Sequence, residues 1–410
     1  MRIAEISIHG CPLRPLGSKD SGGMNVYVRQ LSQELGRLGV EVDIFTRWHD
    51  SDEPQVMWLG EKVRLIHIAA GKPQDMPTLD LYHHLPQFIT NLRHFIDREG
   101  TAYDLLHSHY WLSAWAVQRL KAELGIPHII TFHTLGEVKN QVLPTETEPE
   151  QRLETERKAV ATADRIIAFT AEEKQNLIHI YGARPDKVEI APCGVDLNLF
   201  RPMDKEKARR EVGLVGQVLL FAGRINPIKG IDILLGTVAL LTDSRRLLVL
   251  GGDPASDEIA GLHSMAGKLS IGDQVTFLGT VEHERMPLFY NAADICVVPS
   301  YHESFGLVAL EALACGIPVV ARRVGGLATT IKDGETGYLI TEPSPEAFAR
   351  RLEMLLSNEA LRQRMGDAAR SSVAKYAWPI VARQVLRVYE KLIKGQSSLV
   401  PQGSPFPLKS

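Results

Sequence analysis

Four cysteines in 410 residues, Cys11, Cys193, Cys296 and Cys315, are too few and too scattered for a disulfide framework or a C-x-x-C metal site, which points to a reducing compartment. No apolar run reaches membrane-spanning length, and MRIAEISIHG lacks the basic start and long apolar stretch of an export signal. A cytoplasmic chain with no transmembrane segment is therefore expected. Basic excess is also missing: 46 Lys and Arg face 49 Asp and Glu, for a net charge of -3, which excludes a global nucleic-acid footprint. Neither G-x-G-x-x-G nor the P-loop pattern occurs, which disfavours a nicotinamide- or ATP-dependent enzyme. No internal repeat marks a solenoid.

What is present is ordinary globular composition, 44% hydrophobic and 23% charged, at a length that favours two domains. Short β-branched runs alternate with amphipathic helical patterns. RIAEISI, EVDIF, VRLIHI, YDLLHSH, HIITFH and RIIAFT occupy the first half, and VLLFAG, RLLVLGG, QVTFLG, DICVVPS and IPVVA the second. That alternation predicts an α/β protein with two Rossmann-like parallel-sheet domains. APCGVDLNLFRP, residues 191–202, reads as the hinge between domains 1–195 and 196–377. PTETEPEQRLETER, residues 144–157, reads as a loop entering a helix, and residues 396–410 as a disordered tail.

In open parallel sheets ligands bind beyond the carboxyl ends of strands. Behind the strand DICVVPS, a loop from Tyr301 to Phe305 leads to a helix from about Gly306 that Gly316 and Pro318 stop. Glu303 precedes that helix and Glu311 lies inside it. Read blandly, the pair is a capping acid and an exposed helix residue. A second reading has them grip opposite ends of an extended ligand whose phosphates rest on the helix-start amides of Ser304, Phe305, Gly306 and Leu307. GRINPIKG sets Arg224 and Lys229 in a glycine-flanked loop at another strand end, where two cations can neutralise a diphosphate leaving group.

In the first half, DSGGMNVYV is a glycine-rich turn into a helix, with Gly22 and Gly23 permitting close approach of a ligand. His107, His109, Tyr110, His133 and Thr134 end or follow strands. A zinc reading of these histidines is weak, because H-x-H along a strand is usually incidental. No metal site is expected. Asp50 and Asp52 form a D-x-D that reads as solvated loop.

ESFGLVALE, the Arg224/Lys229 loop, the SGGMN turn and the strand-end His133 together resemble the retaining family 4 glycosyltransferases of GT-B fold, over roughly residues 1–395. Within that family ISIHG, DSGGMNVYV, HSHYWLS, TFHTLGEVKN and PSYHESFGLVALEA are similar to the D-inositol-3-phosphate glycosyltransferases, with sucrose-phosphate synthases as neighbours. The resemblance implies a deep interdomain cleft, a nucleotide sugar, most simply a UDP-sugar, as donor, and a hexosyl unit of glucose or N-acetylglucosamine type moved to a small hydroxyl acceptor such as an inositol phosphate or sugar phosphate. It implies His133, Arg224, Lys229 and Glu303 at the reacting centre. Gly23, Arg224, Lys229, Glu303, Ser304, Phe305, Gly306, Leu307 and Glu311 would hold the donor, with Glu311 on the ribose. His9, Asp20, Asn25, Tyr110, Thr134 and Arg152 would hold the acceptor. No cofactor is implied, and a homodimer is allowed. Thr78 stands where the inositol-phosphate enzymes place a lysine on the acceptor phosphate.

The last helix, WPIVARQVLRVYEKLI, repeats apolar residues at Ile380, Val381, Val385, Val388, Tyr389 and Leu392. The resemblance implies that residues 378–395 cross back onto the first domain. The alternative function is a nucleotide-sugar-binding regulatory protein without turnover.

Overall fold

The computed structural model describes residues 1–14, 22–142, 147–241 and 245–397. The β-branched runs form two sheets flanked by helices. In space the first sheet runs Val56–Gly60, Val63–Ile68, Glu41–Arg47, Arg2–Ile6, Leu105–His109, His128–Thr131, Arg165–Ala168 and Val188–Ile190. The second runs Val275–Gly279, Arg246–Leu250, Val218–Ala222, Ile295–Val298, Val319–Arg322 and Gly337–Ile340. Central strands such as Leu105–His109 and Ile295–Val298 are buried throughout because helices cover both faces.

One edge departs from the expected all-parallel sheets. Val56–Gly60 pairs antiparallel with Val63–Ile68, since only Glu61 and Lys62 join them and so short a link can only reverse the chain. Lys62 takes the left-handed backbone this turn needs, at φ 62°. The strand was not read from sequence because it is never buried; its residues alternate between exposed and half-buried.

Residues 191–202 contain no helix or strand, and Val195 pairs with Ala377 where the chain returns. The Val195 amide donates to the Tyr376 carbonyl at 2.8 Å, so both passages between the lobes run side by side. From there the helix Trp378–Ser397 packs on the helix Gly23–Arg37 of the first lobe. Tyr27, Leu31, Val381, Val385 and Tyr389 belong to one apolar cluster that continues through Val195 and Phe200 to Val298 and Leu310 of the second lobe. Tyr389 also reaches the His107 ring, Oη to Nδ1 at 2.7 Å. Ile380 is exposed, contrary to expectation, because it falls one residue outside the stripe formed by 381, 385, 388 and 392. The helix runs to Ser397; the rest of the expected tail lies outside the described residues. Among the described residues no helix is long and apolar enough to cross a membrane.

Candidate active site

The strand Ile295–Val298 lies beside Val218–Ala222, so the loops at their carboxyl ends meet. From one loop comes Lys229, and from the other Glu303, whose Oε2 accepts from the Lys229 Nζ at 2.6 Å. Burial works to raise the Glu303 carboxyl, but the Lys229 ammonium, with help from His302 and Arg224, outweighs it and holds the group below the usual range. The helix itself is Leu307–Ala314, with Gly306 before it at φ 87°. Glu303 thus sits in the loop with Ser304 and Phe305, not on the helix. Its backbone is pressed against Gly325 and Gly326: a Cβ on Gly325 would come within 1.9 Å of the Glu303 carbonyl oxygen, and one on Gly326 within 2.2 Å of the Phe305 Cα. Only glycine permits that approach.

Glu311 points elsewhere. It is buried, and its two oxygens accept from Tyr290 Oη and His283 Nε2, each at 2.8 Å. Desolvation disfavours a charged His283, yet the Glu311 carboxylate overcomes it and raises the imidazole. The bland reading of Glu311 as an exposed helix residue is therefore excluded.

The lobes approach one another at the two glycine-rich turns. A Cβ on Gly23 would stand 2.9 Å from Leu307 Cδ1, and one on Gly22 would stand 3.9 Å from Nε of the exposed Arg224. Beside this contact lies a crevice with about 300 Å³ of empty volume, walled by Thr134, Thr170 and Glu173 of the first lobe and by His302, Glu303 and Ser304 of the second.

On the first lobe, Tyr110, Thr134 and Arg152 converge. The Arg152 guanidinium is buried and donates to Tyr110 Oη (3.0 Å), Thr134 Oγ1 (2.9 Å), Glu148 Oε2 (2.8 Å) and Glu156 Oε1 (2.7 Å). Glu156 further accepts from Tyr181 Oη at 2.6 Å and the Gly136 amide at 2.9 Å. His9 packs on the Tyr110 ring with centroids 4.5 Å apart, and the Asn25 amide donates to the Cys11 carbonyl at 2.7 Å. Asp20 lies outside the described residues. Thr78 opens a helix and lines a second pocket of about 300 Å³ with His9, Cys11, Arg14 and Arg47. Asp50 and Asp52 are exposed in a turn, as expected.

Among the described residues, His133 and Tyr110 are two of four non-glycine residues with left-handed backbone, at φ 62° and 72°. Such conformations cost on the order of 1–3 kcal/mol each and gather where surrounding structure enforces them. The His133 ring lies between Tyr27 and Phe169, with its Nε2 3.0 Å from His109 Nδ1. Burial first, and the neighbouring His109, His107 and His9, push its pKa far down, so the buried ring is neutral. Because the backbone is strained, His133→Gly should be more stable than His133→Ala by about 1 kcal/mol, reversing the usual order of the two residues. Urea unfolding of both variants measures this.

Several residues of the site were not read from sequence. Glu173 carries no motif, yet burial raises its carboxyl to about 7, opposed only by the Phe169 amide, which donates to it at 2.7 Å. A raised folded-state pKa favours folding fully below the unfolded value of about 4.5, and that contribution is lost as pH rises through 7. Glu173→Gln should therefore flatten the fall in stability between pH 5 and 8, by at most about 3 kcal/mol, in denaturant titrations across that range. Gly325 and Gly326 were a visible pair whose partner was not; His283, Tyr290, Glu148 and Glu156 looked like ordinary helix and turn residues.

Comparison with known proteins agrees with this geometry. The family model described as Glycosyltransferase Family 4 matches residues 21–199, and that described as Glycosyl transferases group 1 matches residues 204–372. The D-inositol 3-phosphate glycosyltransferase 2 of Catenulispora acidiphila is 42% identical, over 97% of this chain and 96% of that protein. The D-inositol 3-phosphate glycosyltransferase of Corynebacterium glutamicum is 38% identical, over 97% and 98%. Among solved structures, a sucrose-phosphate synthase from Thermosynechococcus elongatus superposes with a TM-score of 0.89 at 35% identity, covering 96% of this chain and 100% of that one. Anabaena HepE in complex with UDP-glucose, at 18% identity and a TM-score of 0.77, covers 95% and 100% and shares the fold.

Proposed function

The chain belongs to the family 4 glycosyltransferases and is a nucleotide-sugar-dependent enzyme acting on a small hydroxyl acceptor; from that premise we propose that it is a cytoplasmic retaining transferase moving a hexosyl unit from a UDP-sugar to a phosphorylated acceptor. The observation that carries this is the Lys229–Glu303 pair at the start of the helix Leu307–Ala314, facing the first lobe across the crevice. Residues 1–195, joined by 378–395, form the acceptor lobe, and 196–377 the donor lobe.

A diphosphate arriving between Gly23 and the helix start takes Lys229 from Glu303 and gains Arg224, the helix-start amides adding their partial charge. Glu303, released from its lysine, accepts the hydroxyls of the sugar to be transferred. Glu311 takes the ribose with the lone pairs that His283 and Tyr290 leave unused. His133, being neutral, orients the sugar through hydrogen bonding and adds no charge. The bond from the anomeric carbon to the phosphate oxygen breaks as the acceptor oxygen bonds to the same face, and the acceptor proton passes to the departing phosphate. The protein's part is to position the reactants and stabilise charge in a cleft that excludes water.

On the acceptor side, Arg152 donates to Tyr110 Oη and Thr134 Oγ1, which leaves those two hydroxyl protons to be offered to one corner. Two of the relatives are named for D-inositol 3-phosphate, and the structural relative for sucrose phosphate, so inositol phosphates and sugar phosphates are the acceptors to test. The experiment is a panel of UDP-, ADP- and GDP-sugars against these acceptors, reading released nucleoside diphosphate and the anomeric configuration of the product by NMR. Retention with a UDP-sugar is expected. An inverted product would refute the mechanism, and donor binding without release across the panel would favour a regulatory protein.

A further inference from the structure

We propose that Cys11, His49, Glu53 and His67 form a zinc site on the first lobe. One ligand atom from each lies within 4.8 Å of those of the other three. Cys11 follows the strand Arg2–Ile6, His49 and Glu53 follow Glu41–Arg47, and His67 ends Val63–Ile68. These strands are parallel neighbours, with Thr46 opposite His67, so their carboxyl ends bring the four side chains together. No spacing in the sequence announces this, because the ligands come from two loops and a strand.

The polar atoms there satisfy one another only in part, the Cys11 thiol reaching His67 Nε2 at the outer limit of a sulfur hydrogen bond. His67 Nδ1 lies 2.8 Å from the Pro54 carbonyl, which can only accept, so the proton sits on Nδ1 and the Nε2 lone pair faces inward. That lone pair meets the Glu53 carboxylate, Nε2 to Oε2 at 3.2 Å, and the Cys11 Sγ at 4.0 Å. His49 Nε2 is 4.0 Å from the same Oε2. Among the described residues, Glu53 Oε2 and His49 Nδ1 are buried without a hydrogen-bond partner. Acceptors converging on one point are what a cation resolves. With zinc bonds of about 2.0–2.3 Å, the corners of a tetrahedron stand roughly 3.3–3.8 Å apart, a small adjustment from these distances.

Zinc would displace the Cys11 proton and hold the sulfur as a thiolate. Nitrogen, sulfur and carboxylate donors in a four-coordinate set select zinc over calcium or magnesium. Four protein ligands leave no open position, so the ion is structural. Glu53, at 28% side-chain exposure, marks the entry. The other buried group, Glu5 with His107 and His109, is less suited, since His107 bonds Tyr389 and Thr131, and His109 bonds His133.

Such an ion would fasten the Cys11 loop, which follows His9 and holds the Asn25 amide, to the loop after Glu41–Arg47, stiffening the wall of the pocket that His9 and Thr78 line. The test uses the purified full chain, stripped with chelator and dialysed against Zn²⁺ or Co²⁺ alone. Expected are about one zinc retained per chain, a higher unfolding temperature with zinc, and cobalt spectra with a thiolate charge-transfer band and strong four-coordinate visible absorption. Cys11→Ser, a near-isosteric change, should remove the charge-transfer band. Retention below about a tenth of an equivalent, weak octahedral cobalt bands, or a charge-transfer band that survives in Cys11→Ser would each overturn the proposal. None of these readouts depends on turnover, so their failure leaves the transferase reading intact.

Discussion

Lys229→Ala should lower kcat by about 10²–10³, the effect of removing one charged donor from a developing negative charge in a cleft of restricted solvent access. Two effects act together. The leaving diphosphate loses its cation, and Glu303, which Lys229 holds at 2.6 Å, is left as an unpaired carboxylate beside the phosphates. The second effect makes a specific double-mutant result: Lys229→Ala with Glu303→Gln should fall short of the sum of the two single losses, because the pair shares one interaction. Arg224→Ala, whose charge acts on Glu303 less than that of Lys229, should couple to Glu303→Gln more weakly than Lys229→Ala does. Steady-state kinetics with a UDP-sugar measures all of these. Additive losses for the Lys229–Glu303 pair would show that their contact in the empty site has no bearing on turnover.

The largest loss of stability is expected from Arg152→Met. Its guanidinium joins Glu148 and the fully buried Glu156, and removing it leaves Glu156 as a buried carboxylate without a cation, while Glu148 keeps Lys139. Breaking a buried pair in this way costs about 3–5 kcal/mol. For a lobe of this size that is a fall on the order of 10 °C in Tm. Glu156→Gln in the Arg152→Met background should restore part of it, since the stranded charge is then absent. Catalysis supplies a separate readout. Tyr110 Oη and Thr134 Oγ1 are both anchored by Arg152, so acceptor KM should rise far more than donor KM. Equal changes in both would assign the arginine a purely architectural role.

The strands show why some of the molecule was legible in advance. VLLFAG, DICVVPS and IPVVA are buried on both faces, so each is an unbroken apolar run that flanking turn residues delimit. Val56–Gly60, Val188–Ile190 and Gly337–Ile340 were missed because edge or short strands carry too little of that signal. The same difference runs through the site. Lys229 and Glu303 stand beside glycines in loops at strand ends, where parallel-sheet geometry makes function the expectation. Glu173 and Glu156 stand in helices among other acids, with nothing local to separate a buried carboxylate from a solvated one.

By itself the sequence determined the α/β alternation of two parallel-sheet units, the buried strands, and the placing of Lys229 and Glu303 in loops at strand carboxyl ends, because those follow from local periodicity and turn residues. Only the tertiary structure decided which charges are paired. It turned Glu311 toward His283 and Tyr290, closed Lys229 on Glu303, and drew Cys11, His49, Glu53 and His67 to one point. Electrostatic partnership depends on distance through space and on exclusion of water, and neither is written in the neighbours of a residue along the chain.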